Sequence, residues 1–143
     1  MSLKKLLFLL LVAFLVYSGV KIFKTDTSNP NVVIKKYLEH WISNNTTGMY
    51  PLISQRAKKE LKNYKVNNVS DYYAYFVEHR LDLTSFDITS QEINATSGRF
   101  WINLRALDYT GHEYQENATF YLVKEKDGWR VDSWQRGDAY NLP

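Results

Sequence analysis

The stretch FYLVKEKDGWRVDSW, residues 120–134, decides the fold. Apolar and polar residues alternate on both sides of Asp127-Gly128. That dipeptide suits the left-handed backbone of a tight β-turn, so the stretch reads as a hairpin. The same period of two runs back through HEYQENATFYLVKE (112–125), GRFWINLRALDY (98–109) and SFDITSQEI (85–93). Tyr109-Thr110-Gly111-His112 supplies another turn. From Thr84 onward the chain is predicted to be a four-stranded antiparallel meander.

Upstream the period becomes helical. In VVIKKYLEHWISNNTTGMYPLIS (32–54), Ile34, Tyr37, Leu38, Trp41 and Ile42 recur at i, i+3, i+4, i+7 and i+8. That is one amphipathic helix. Asn29 or Asn31 can cap it, Pro30 suits its first turn, and it ends near Asn44-Asn45. MYPLIS reads as a short helical turn. Ser54 caps QRAKKELKN (55–63), with Ala57 and Leu61 inward. Ser70-Asp71 opens a third helix whose stripe is Tyr73, Phe76, Val77 and Leu81. Helices first and a meander second predict an α+β domain, three helices covering one face of a curved four-stranded sheet.

The first residues differ in kind. Leu6–Val20, LLFLLLVAFLVYSGV, carries no charge, and eleven of its residues are Leu, Phe or Val. At about −0.3 to −0.6 kcal/mol each they favour insertion by roughly 3 to 7 kcal/mol. Fifteen helical residues reach only about 22 Å against a hydrocarbon core of about 30 Å. Adding Ile22 and Phe23 makes the stretch adequate if Lys4, Lys5 and Lys21 snorkel. The rival is a cleaved signal peptide, with a site near Val16-Tyr17-Ser18. The expected organisation is an anchor or signal peptide over 1–24, a polar linker over 25–31 and the folded domain over 32–143. The membrane is met through residues 6–23. Lysines flank both ends, and N-terminus inside with the domain extracytoplasmic is favoured; secretion after cleavage is the alternative.

The +3 formal charge belongs to that segment. Four of the 18 basic residues lie before Asp26, leaving 14 against 15 acidic, a net of −1. A nucleic-acid footprint is therefore not expected. With no cysteine there is no disulfide, thiolate metal site or Cys nucleophile. Asn44, Asn45, Asn68, Asn94 and Asn117 each open an N-x-[ST] triplet, read as products of an Asn/Thr-rich surface.

The opening helix with Trp41 near its end, the Tyr50-x-Leu52-x-Ser54 turn and the closing strand–Asp-Gly–Trp–strand hairpin together resemble the nuclear-transport-factor-2-like superfamily. Within it they look like the small membrane-anchored extracytoplasmic type of bacteria. The resemblance covers residues 30–136 in order and period. It implies a cone of three helices on a curved sheet. It also implies that the uncovered sheet face is a surface for docking or dimerisation. Members span isomerases, hydrolases, secretion components and inert binding modules, so the fold alone assigns no activity.

Strand parity separates two faces. Phe100, Ile102, Leu104, Ala106, Ala118, Phe120, Leu122, Trp129 and Val131 point one way, with no carboxylate among them. Proton-transfer chemistry needs a tuned, desolvated acid or base, so no catalytic residue is nominated. His40, His79 and His112 are too dispersed for a metal, and no phosphate-binding or nucleophile-elbow motif occurs; neither metal nor cofactor is expected. The other face carries Arg99, Trp101, Arg105, Tyr121, Arg130 and Trp134, the residue types of interface hot spots. The bland account of that face is solvated Arg–aromatic stacking between strands. The run Arg56, Lys58, Lys59, Lys62 and Lys65 reads as the wet side of a helix.

The function expected is a non-enzymatic, membrane-tethered extracytoplasmic domain that binds a protein partner or a second copy through the open face. One alternative is a small-ligand-binding or enzymatic cone with its pocket at Tyr37, Trp41, Tyr73, Phe76, Phe100, Phe120 and Trp129. Another is a bitopic component of a conjugation or secretion apparatus.

Overall fold

A computed structural model describes the backbone of residues 2–23 and 25–143 and the side chains of residues 2–14 and 25–143. Helix α1 spans Leu3–Phe23. Among the described residues no helix is long and apolar enough to cross a membrane. The expected span over residues 6–23 falls partly outside the described side chains.

Helix α2 runs Pro30–Ile42, with Asn29 accepting from the Asn31 N–H and Pro at the first helical position. Its buried stripe is Val33, Ile34, Tyr37, Leu38 and Trp41, as the spacing demands. A four-residue helix α3, Thr46–Met49, and a 3₁₀ turn at Tyr50–Leu52 follow. Ser54 caps α4, Gln55–Leu61, by accepting from the Ala57 N–H at 3.0 Å. Helix α5 is Val69–His79. Counting α3, four helices follow α1 where three were expected, because the Asn45 side chain caps a separate turn before Tyr50.

The α5 expectation needs two corrections. Asn68 is the N-cap, accepting from the Asp71 N–H, so the helix starts earlier than Ser70. The buried residues are Tyr72 and Phe76, whereas Tyr73 is 56% exposed and Val77 is also exposed. The helix presents 72, 75, 76 and 79 to the domain, a stripe rotated from the one drawn through 73 and 77.

The sheet is antiparallel with order β1-β2-β3-β4-β5. The strands are β1 (Asp82–Ile93), β2 (Ser97–Leu107), β3 (Glu113–Glu125), β4 (Gly128–Arg136) and β5 (Ala139–Asn141). It has five strands instead of the expected four. Gly137, at φ +57°, turns the chain so that Trp134 pairs with Asn141 and Arg136 with Ala139. Three residues are too few to show a period. Edge strand β1 is interrupted by two irregularities, between Leu83 and Ser85 and between Ile88 and Ser90. At each, a threonine hydroxyl turns back to the sheet, Thr84 donating to Arg105 O and Thr89 to Trp101 O.

The core lies between α2–α5 and the inner sheet face. Phe100, Ile102, Leu104, Ala106, Ala118, Phe120, Leu122, Trp129 and Val131 are all buried there. Among the described residues eight aromatic side chains are buried, each removing about 150–250 Å² from water, and they dominate the packing.

Candidate functional site

The outer face is set by strand parity, and one irregularity edits it. In the β3–β4 ladder Leu122 pairs with Val131 and Tyr121 with Ser133. Asp132 is the extra residue, and beyond it every side chain changes face. Trp134, expected outside, is therefore opposite Phe120 and 5% exposed. Its ring stacks on Phe120 at 5.6 Å and 11°, and meets Trp41 edge-on at 5.4 Å. Its Nε1–H donates to Leu142 O at 3.2 Å. Arg136 changes face too, pairing with Glu116 at 3.2 Å, while Ser133 and Gln135 take the outer positions.

The bulge is held from outside the sheet. The Ser54 hydroxyl donates to Asp132 Oδ1 at 2.5 Å. Arg56 Nε reaches both carboxylate oxygens at 2.9 Å, and Nη2 donates to Asp132 O and Tyr140 Oη. The Asp132 carboxylate, first among these partners, raises the Arg56 pKa, so that the guanidinium stays charged. Sequence parity alone carried no signal for this lock, because Ser54 and Arg56 lie 78 and 76 residues away.

Arg99, Trp101, Arg105, Tyr121 and Arg130 remain together on the outer face. The Arg99 guanidinium lies 5.6 Å from the ring centres of both Trp101 and Tyr121. Tyr121 donates to Gln135 Oε1 at 3.2 Å, and Asn103 to Asn117 at 3.2 Å. Arg130 pairs with Asp127 at 3.1 Å. Neither Arg99 nor Arg105 forms an ion pair among the described residues. Arg105 Nε is buried without a hydrogen-bond partner. A groove of about 730 Å³ runs past Arg99 and Tyr121 to Asp132, Arg56 and Tyr140.

The expected cone pocket divides. Phe100, Phe120 and Trp129 are sealed in the core and do not line the cavity at the cone mouth. Tyr73 points to solvent. Tyr37, Trp41 and Phe76 do border a cavity of about 700 Å³ at the cone mouth, joined by Tyr72, Trp134 and Arg80. Trp41 packs on Phe76 at 5.8 Å and donates to Leu81 O at 2.9 Å. The Tyr37 hydroxyl is buried beside the Tyr72 phenol without a partner in hydrogen-bond geometry. Burial, before any neighbour, pushes both phenols well above their ordinary pKa. They stay protonated and are poor bases. Among the described residues no group of three or more His, Asp or Glu is placed to hold a metal ion. His79 is stacked on Tyr75 at 4.3 Å, and His40 meets Asn45 at 3.1 Å.

No protein-family model and no curated protein matches the sequence. Among solved structures, a SEC-C motif-containing protein from Rhodopseudomonas palustris aligns with a TM-score of 0.60 at 10% identity, over 78% of this chain and 80% of that one. A designed nuclear-transport-factor-2-like protein aligns at 0.52 and 14% identity, over 73% and 93%. A Campylobacter jejuni protein whose name includes the words nuclear-transport-factor-2-like transpeptidase aligns at 0.44 and 19%, over 73% and 98%. The first two are likenesses of fold. The chain has a nuclear-transport-factor-2-like α+β fold, and no activity is carried over with it.

Proposed function

We propose that this chain is a membrane-tethered, extracytoplasmic domain of the cell envelope that acts by docking a protein partner and not by catalysis. The observation that carries the reading is Arg99, held over two aromatic rings on the open sheet face with no carboxylate paired to it among the described residues. A guanidinium fixed in this way loses little freedom when it binds, and its edge suits a carboxylate. The groove beside it gives an acidic segment room. The tether rests on α1: Leu3, Leu6–Leu11, Val12 and Phe14 are all at least 40% exposed. From Leu6 to Phe14 the helix carries only apolar side chains, on every side; such a stretch calls for apolar surroundings, and lipid supplies them.

The test is Arg99→Ala with Trp101→Ala in the full-length chain. Pull-down or self-association should weaken more than tenfold while circular dichroism stays unchanged. Undiminished association in that variant sinks the docking reading. For the tether, residues 1–24 should be found intact in the membrane fraction; a mature chain starting near Gly19 means a cleaved signal instead.

The mouth cavity favours a second reading, a small-ligand site with an aromatic floor of Trp41, Phe76 and Trp134 and the Arg80 cation at its rim. Titration with an apolar carboxylate should then shift the indole resonances of Trp41 and Trp134. Unmoved indole resonances at millimolar concentration reject it.

A further inference from the structure

The linker is fastened where it meets the domain. The Trp129 N–H donates to Thr27 O at 2.8 Å, and the Thr27 hydroxyl donates to Asp127 O at 3.2 Å. Both partners lie at the β3–β4 turn. Gly128, at φ +136°, has no room for a side chain: a Cβ there would lie 2.2 Å from Thr27 Oγ1. Glycine is what lets the linker lie so close. Residues 25–28 and Lys124–Gly128 together line an open groove of about 520 Å³.

The charges at this tip are unevenly satisfied. Asp127 pairs with Arg130 at 3.1 Å. Glu125 accepts from the Gln55 N–H at 2.8 Å, and Asp26 accepts from the Ser28 N–H and hydroxyl. Lys124 and Lys126 are exposed and form no ion pair among the described residues. Thr27 stands four residues beyond the end of α1, a covalent reach of at most about 14 Å. The headgroup zone is itself about 5–8 Å deep, and charge acts over about 8–10 Å beyond it.

We propose that the pinned linker holds the β3–β4 turn against the bilayer, where Lys124 and Lys126 contact anionic lipid headgroups. The proposal rests on the membrane-tethered reading above. It gives the domain a fixed pose: the β1–β2 and β3–β4 turns, joined by the Lys124 N–H to Thr96 O bond at 2.9 Å, face the lipid. The β2–β3 turn at Tyr109 points away, about 35 Å distant along the strands.

Because the chain has no cysteine, single fluorophores can be placed cleanly, at Ala95→Cys and at Tyr109→Cys. The full-length chain is reconstituted in phosphatidylcholine vesicles, with or without phosphatidylglycerol, that carry a headgroup quencher. The label at 95 should be quenched at least threefold more than the label at 109, and more strongly with phosphatidylglycerol. Adding Lys124→Gln and Lys126→Gln should remove the phosphatidylglycerol effect. Equal quenching at both labels, in a chain that floats with the vesicles, overturns the pose. A phosphatidylglycerol effect that survives the double substitution overturns the lysine contact. A chain that does not float overturns the tether on which both depend.

Discussion

Trp101 and Trp134 belong to one set by strand parity, and the fold places them on opposite sides of the same sheet. Trp101 is half-buried on the outer face beside Arg99. Trp134 is stacked in the core between Phe120 and Trp41. A single extra residue, Asp132, separates the two outcomes, and it is fixed by side chains from a helix rather than by the strands themselves. Which face each of these tryptophans takes is thus set by register and not by residue type.

The contrast can be broken most forcefully at the two tryptophans. Trp134→Ala should cost about 3–5 kcal/mol of stability, as for other core aromatics. Trp101→Ala should cost about 1 kcal/mol or less, because it loses only surface packing and a cation–π contact. Urea denaturation midpoints decide the matter, and equal losses would mean that both rings share one environment.

Next is the residue that separates them. Asp132→Ala removes hydrogen bonds to a charged guanidinium and to the Ser54 hydroxyl, so a loss of about 2–3 kcal/mol is expected. Asp132→Asn should recover part of it. If alanine proves harmless, the bulge is held by the ladder alone.

A smaller and signed comparison uses one substitution on both sides. Tyr37→Phe deletes a buried hydroxyl with no partner in good geometry, and stability should hold or rise by up to about 1 kcal/mol. Tyr121→Phe deletes a hydroxyl bonded to Gln135 and should lose about 0.5–1 kcal/mol. Two losses of equal size would show that Tyr37 is satisfied after all.

The smallest effect is in pH. Burial, ahead of the charge of Lys36, lowers the His40 pKa below its ordinary value near 6.5. Between the lowered folded value and the unfolded one, the unfolded chain binds more proton. Stability should therefore fall as pH drops from about 7 towards 5. In His40→Gln that fall should be shallower, read from denaturation midpoints at the two pH values.

The α+β order, the buried stripe of α2 and the whole inner face up to Val131 were legible, because period and burial agree there. Tyr72 and Tyr73 show where that logic weakens. α5 carries several aromatics on more than one side, so apolar spacing alone fits two rotations, and only packing against the cone chooses between them. Strand β5 was illegible for want of length, and Trp134 because its position depends on contacts with Ser54 and Arg56 far along the chain. The mouth cavity was half legible: Tyr37, Trp41 and Phe76 were nominated, while Arg80 and Trp134 could be found only in three dimensions.

Strand β1 has a consequence for crowding. It is a twelve-residue edge with unpaired backbone groups, the kind of strand that invites sheets to join end to end. Its two interruptions turn Thr84 and Thr89 back to their own sheet. In the symmetric antiparallel register centred on Asp87, a second copy would set Asp87 against Asp87 and Asp82 against Glu92. Like charges meet at every one of those positions. In that register the edge repels a second copy of itself, so the charges along β1 act with its two interruptions to discourage edge-to-edge pairing.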